Sequence, residues 1–128
     1  MKTIKVSEAT GPVLDWLVAK ALGLNYRNDE KYGPMCFRPS THPGVVAWDS
    51  KPLPYSSDWS QGGLIIEQAK IELKYLGYDN PPYWGALKFS PSKYERKAAI
   101  GPTPLIAAMR CFVVSRLGDE VEVPEELA

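Results

Sequence analysis

One histidine and two cysteines are all that these 128 residues offer of the usual soft metal ligands and nucleophile partners. His42 lies in a proline-bounded loop, THPG, with no partner at a useful spacing. Cys36 and Cys111 form no CxxC or Cys/His pattern. A zinc site therefore has no ligand set, and a Ser/His or Cys/His catalytic pair has no support. GxxxxGK[ST], GxGxxG and GxSxG are all absent, which removes the phosphate-loop, dinucleotide and nucleophile-elbow readings. No catalytic residue, metal or cofactor is expected.

Charge of either sign is also missing as an excess. Lys+Arg and Asp+Glu number 15 each. General nucleic-acid binding through a basic surface is not expected, although a local basic pocket remains compatible. The opening MKTIKVSEATG has no apolar core of a signal peptide, and no apolar run reaches bilayer length. A reduced cytosolic setting and no membrane partner are the expectation.

What the chain has in quantity is proline (12), glycine (10), tyrosine (7) and tryptophan (4). Prolines 34, 39, 43, 52 and 54 punctuate Asn25 to Tyr55. Only Val45 to Trp48 reads as a strand there. The segment is expected to be a long, ordered excursion whose aromatics (Tyr26, Tyr32, Phe37, Trp48, Tyr55) cover or line something. The chain is expected to be one domain, residues 1–128, with residues 124–128 as a frayed acidic tail.

The best-punctuated stretch is Gly101 to Gly118, GPTPLIAAMRCFVVSRLG. Thr103 is a good N-cap, Pro104 suits the first helical position, and Gly118 stops the helix. Leu105, Ala108, Met109 and Phe112 share one face. Ile106, Val113 and Leu117 widen it, and Ala107, Cys111 and Val114 cover much of the rest. A helix apolar nearly all round must be covered on several sides. In so small a domain that points to a homo-oligomer, a dimer or higher. Arg116 suits the last turn. Arg110 sits mid-helix, and either an internal salt bridge to Asp58, Glu67 or Glu72 or a ligand accounts for it.

Elsewhere, Met1 to Val6 reads as a strand, and a helix capped by Ser7 or Thr10 runs to about Leu22. Ile71 to Leu76 and Tyr83 to Phe89 read as an antiparallel hairpin. Ser90 to Ala99 reads as a solvated loop or short helical piece, and Val121 and Val123 as an edge strand. The expected fold is α+β: a small antiparallel sheet packed against two or three helices, with a long Pro/aromatic loop.

Ser56 to Lys70, SSDWSQGGLIIEQAK, is the second informative stretch. Asp58 and Gln61 have capping-box spacing. Gly62 and Gly63 sit in the first turns, where each costs about 1 kcal/mol against alanine. Either close packing or a ligand near bare backbone N–H groups would favour them. Candidate ligand-binding residues are Tyr55, Ser57, Asp58, Trp59, Gln61, Gly62, Gly63, Trp84, Thr103 and Arg110. Trp59 and Trp84 would stack on a base, and Arg110 would take a phosphate.

SSDWSQGGLIIE, followed by GPTPLIAAMRCFVVSRLGDEVEVPEEL, resembles the NinX-like family of small accessory proteins of tailed bacteriophages. The opening VSEATGPVLDWLVAKALG resembles that family's first segment. The likeness covers most of the chain apart from the middle loops. The family's Ser-Thr-Asp-Trp run stands here as Ser56-Ser57-Asp58-Trp59, and Leu64 stands where proline commonly follows the paired glycines. The resemblance implies phage origin and no particular activity. Phage origin favours a protein that sequesters a phosphorylated nucleotide-like host immune signal in the cytoplasm of the infected cell. The alternatives are a protein-interaction module and a small hydrolase acting on such a ligand.

Overall fold

The computed structural model describes residues 2–23, 26–29, 33–38, 47–49, 53–77, 82–125 and 127. In chain order these form β1 (Lys2–Lys5), a 3-10 turn (Val6–Glu8), α1 (Gly11–Ala21), β2 (Tyr26–Asp29), β3 (Gly33–Arg38) and β4 (Ala47–Asp49). Then come α2 (Trp59–Ala69), β5 (Glu72–Leu76), β6 (Tyr83–Ser90), β7 (Glu95–Gly101), α3 (Pro104–Leu117) and β8 (Glu120–Val123). The fold is α+β. Its described strands make a β1-β8 ribbon and two antiparallel sheets, β2-β3-β4 and β5-β6-β7.

α3 forms where its punctuation predicts. The Thr103 side chain accepts from the Ile106 N–H at 3.1 Å, Pro104 follows, and Gly118 ends the helix at φ 93°. That φ is left-handed backbone, which glycine adopts without a Cβ penalty. α3 packs against β6 and β7 on one side, α1 on another, and α2 near its start. Its residues Leu105 and Ala107 to Val114 are all buried. One chain thus covers the whole apolar helix, so the reason the sequence offers for oligomerisation does not hold at this helix. Trp16, Leu14, Leu17 and Val18 of α1 join Met109, Phe112 and Val113 in the core. Each such side chain contributes about 1.5–3 kcal/mol by leaving water.

Three local expectations change. Ser90 to Ala99 is not a loop or helical piece throughout: β7 begins at Glu95 and pairs with β6 from Ser90↔Glu95 to Trp84↔Gly101. Its charged start hides the strand. Only Ala99 and Gly101 need to face the core, and Lys97 pairs with Glu95 at 2.9 Å instead. Among its described residues, Asn25 to Tyr55 holds three short strands where only one was expected. Pro34 is tolerated within β3 because it lies opposite Asn28 of β2, beyond the Cys36–Arg38 span that pairs with β4. His42 and Tyr32, singled out in this segment, lie outside the described residues. In the tail, the Leu127 N–H donates to the Pro124 carbonyl and its side chain packs on the core; residues 126 and 128 lie outside the described residues.

The paired glycines of α2 separate in role. A Cβ at Gly62 would overlap the Tyr55 carbonyl oxygen and stand 2.7 Å from Leu105 Cδ2. Packing of α2 onto α3 and the Tyr55 turn therefore requires glycine there. A Cβ at Gly63 would meet only Trp59 Cε3, at an ordinary 3.7 Å. Gly62→Ala is expected to destabilise by about 1–3 kcal/mol. Gly63→Ala is expected to be neutral or to gain up to about 1 kcal/mol. Urea denaturation of the two variants checks this opposition directly.

Candidate functional site

The candidate residues fall into two places. The first lies between the starts of α2 and α3. Asp58 caps α2, but its partner is Ser60: the carboxylate accepts from the Ser60 N–H at 2.9 Å and its hydroxyl at 2.7 Å. These bonds, and not a reciprocal pairing with Gln61, hold the Asp58 carboxyl below its ordinary pKa. A cleft of about 290 Å³ opens beside it, lined by Ser56, Ser57, Trp59, Thr103, Leu105 and neighbouring Pro104 and Ile106. Trp59 is 54% exposed. Ser57, Trp59 and Thr103 are thus brought together as candidates. Tyr55 is buried, its carbonyl against Gly62. Gln61 and Gly63 are half-buried on α2. Trp84 lines neither this cleft nor the cavity described next. It stands on the inner sheet face against the core, its ring 5.1 Å from that of Tyr75.

Arg110 occupies the second place. It makes no salt bridge with Asp58, Glu67 or Glu72. Its Nε donates to the Ala9 carbonyl at 3.0 Å and its Nη1 to the Ile100 carbonyl at 2.9 Å. The residue is 7% exposed, and burial pulls its pKa below the ordinary value. A guanidinium nevertheless stays protonated at physiological pH. Among the described residues nothing accepts from Nη2, and that nitrogen is not sealed from its surroundings. Arg110 lines a cavity of about 430 Å³ between the free edge of β7 and the β1-β8 ribbon. Lys5, Ser7, Asp119 and Glu120 supply its polar groups; Ala98, Ile100 and Val114 are among its apolar walls.

Sequence reasoning missed one buried charge. Asp15, in α1, is 7% exposed and accepts from the Ser56 N–H at 2.8 Å. It ties the turn before α2 to α1. The signal was the same as for Arg110: a charge inside an apolar helix. Among the described residues no three His, Cys, Asp or Glu side chains gather closely enough to hold a metal ion. No helix among them is long and apolar enough to cross a membrane.

The family model described as Bacteriophage P22, NinX matches residues 5–116. The chain belongs to the NinX family. The match takes in α1, α2 and α3 up to Arg116. For this NinX-family chain it includes the whole Trp59 cleft, and all of the Arg110 cavity except Asp119 and Glu120. No curated protein matches the chain.

Burial raises the Asp15 carboxyl pKa, outweighing the two Ser56 hydrogen bonds that lower it. The folded state therefore holds a proton there more readily than the unfolded chain. Asp15's contribution is most favourable at low pH and is lost as pH rises through its folded pKa. Asp15→Asn can still accept from Ser56, so it is expected to match or exceed the wild type in stability at pH 7. Its advantage should vanish toward the ordinary carboxylate range. Asp15→Ala orphans the Ser56 N–H and is expected to cost about 1–3 kcal/mol. Melting curves across pH for the three proteins read this out.

The Cys111 thiol is pushed up to about 11 by burial, and its Sγ lies 3.4 Å from the Lys97 carbonyl as a donor. Iodoacetamide near neutral pH is expected to leave Cys111 unmodified in the folded chain and to alkylate it in urea, by peptide mass spectrometry.

Proposed function

We propose that this phage protein binds and sequesters a phosphorylated, nucleotide-like host immune signal in the cytoplasm of the infected cell, without chemistry on it. The observation that carries the reading is Arg110. A charged side chain this deeply buried is costly unless its charge is answered. Two backbone carbonyls answer one edge of the guanidinium, and no described carboxylate pairs with it. The Nη2 side is left for an oxyanion, for which the arginine fork is well shaped.

The cavity supports the remainder of such a ligand. About 430 Å³ lies within the range of small-molecule sites. Lys5 and Ser7 add a cation and a hydroxyl for the phosphate. Ala99 and Val114 offer apolar contact to a base, and Asp119 and Glu120 are acceptors for sugar hydroxyls. In this reading Arg110 keeps the phosphate role expected from the sequence. Trp59 belongs to the other cleft, and stacking on Trp59 or Trp84 is not part of the binding.

The test is equilibrium dialysis of the full chain against mononucleotides, cyclic nucleotides and ADP-ribose, with the free ligand quantified by chromatography. Depletion of one of them supports the reading, and recovery of that ligand intact after denaturation distinguishes sequestration from hydrolysis. Arg110 also holds the fold, so the decisive variants are at the exposed rim. Ser7→Asp is expected to weaken binding about tenfold or more, with Tm unchanged, and Trp59→Ala to leave it unaltered. Depletion of none of these nucleotides, or binding indifferent to Ser7→Asp, overturns the reading.

A further inference from the structure

Among the described residues no other helix or strand packs extensively on the face of the β5-β6-β7 sheet turned away from α3. Ala86 is buried and Leu73 and Ala99 pack on the core, so the alternate residues point outward. Strand register arranges those outward residues in rows. Glu72, Leu87 and Ala98 form one; Lys74, Gly85 and Ile100 form the next. Leu76 and Tyr83 flank them at one end, Phe89 and Arg96 at the other. Ile100 is 54% exposed and Phe89 43%. A groove of about 450 Å³ runs along this face. Contiguous apolar surface of this kind marks an interaction site more often than a bare monomer surface.

We propose that a second copy of the chain docks on this face, sheet on sheet. The two-fold axis lies in the interface, crosses the strands, and passes between the two central rows. Such an axis sets each strand over its own counterpart and exchanges the rows. Leu87 then meets the second copy's Gly85, and Ile100 meets the second copy's Ala98. Large side chains face small ones at both positions, as interdigitating sheets about 10 Å apart require.

Charge points to the same axis. Glu72 and Lys74 stand on β5, one in each central row. Exchanging the rows brings Glu72 to the second copy's Lys74, and symmetry repeats the pair. An axis running along β6 would instead set Glu72 over Ala98 and Lys74 over Ile100, desolvating charge against apolar groups. The groove fits this arrangement too. A Cβ at position 85 would stand 3.1 Å from Leu76 Cδ1, so Gly85 is the floor of a dimple walled by Leu76, and Leu87 of the other copy enters it.

Sedimentation velocity on the full chain, without ligand, tests the proposal apart from the nucleotide reading. At roughly 100 µM the wild type is expected to be dimeric. Leu87→Glu is expected to yield a monomer with unchanged far-UV circular dichroism. Glu72→Lys and Lys74→Glu are each expected to weaken self-association about tenfold or more, and the double variant to restore it. A monomeric wild type overturns the proposal. So does a dimer that survives in folded Leu87→Glu, or a double variant no better than the singles. The charge-swap set gives the answer even if Leu87→Glu fails to fold.

Discussion

The rest of the structure hangs on the Arg110 guanidinium. Mid-helix on the most buried element, it reaches the Ala9 carbonyl just before α1 and the Ile100 carbonyl near the end of β7. Those acceptors are separated from it by 101 and 10 residues in the chain. One planar side chain thus joins the N-terminal turn, the central helix and the edge of the sheet. Charge-assisted hydrogen bonds to carbonyls are stronger than neutral ones, contributing about 1.5–3 kcal/mol each. Asp15 does the complementary work from α1, accepting the Ser56 N–H across 41 residues. The two buried charges do not pair with each other; each ties a different backbone segment to a helix.

Much of the frame was legible because it rests on local chemistry. Thr103, Pro104 and Gly118 bound α3 through cap geometry that needs no tertiary information. The alternation of Ile71 to Leu76 and Tyr83 to Phe89 gave the hairpin for the same reason. β7 was not legible. Its first residues, Glu95, Arg96 and Lys97, read as solvated, and its core-facing positions ask only for Ala99 and Gly101. A strand that buries small residues leaves no hydrophobic alternation to detect. The short strands of Asn25 to Tyr55 lie among five prolines that interrupt any alternation, and Asp15 is a single charge between the apolar Leu14 and Trp16 whose burial depends on the distant Ser56 N–H.

Missing β7 also explains why one candidate site was expected where there are two. Along α3, Ile106 and Arg110 are one turn apart, about 6 Å, so sequence spacing places Trp59, Thr103 and Arg110 around one pocket. The end of β7 intervenes. A Cβ on Gly101 would lie 2.8 Å from the Ala107 N and 3.0 Å from Ile106 Cγ2. The strand therefore presses directly onto α3 between the Trp59 cleft, which includes Ile106, and the cavity that includes Arg110. The glycine pair on α2 carried a similar ambiguity, and only geometry resolves it: Gly62 answers to the Tyr55 carbonyl, and Gly63 to nothing nearby.

Ile100 then becomes the residue through which the interior and the surface communicate. Its carbonyl holds Nη1 of Arg110, while its side chain projects from the opposite face of the sheet. β7 is an edge strand, secured by β6 on one side alone, and its end depends on the α3 contact and the Arg110 bond for its position. The backbone of residues 98–100 therefore serves two surfaces at once, the cavity that Arg110 lines on one side and the groove of the outer sheet face on the other. The α3 contact at Gly101 and the Arg110 bond to the Ile100 carbonyl fix both surfaces together.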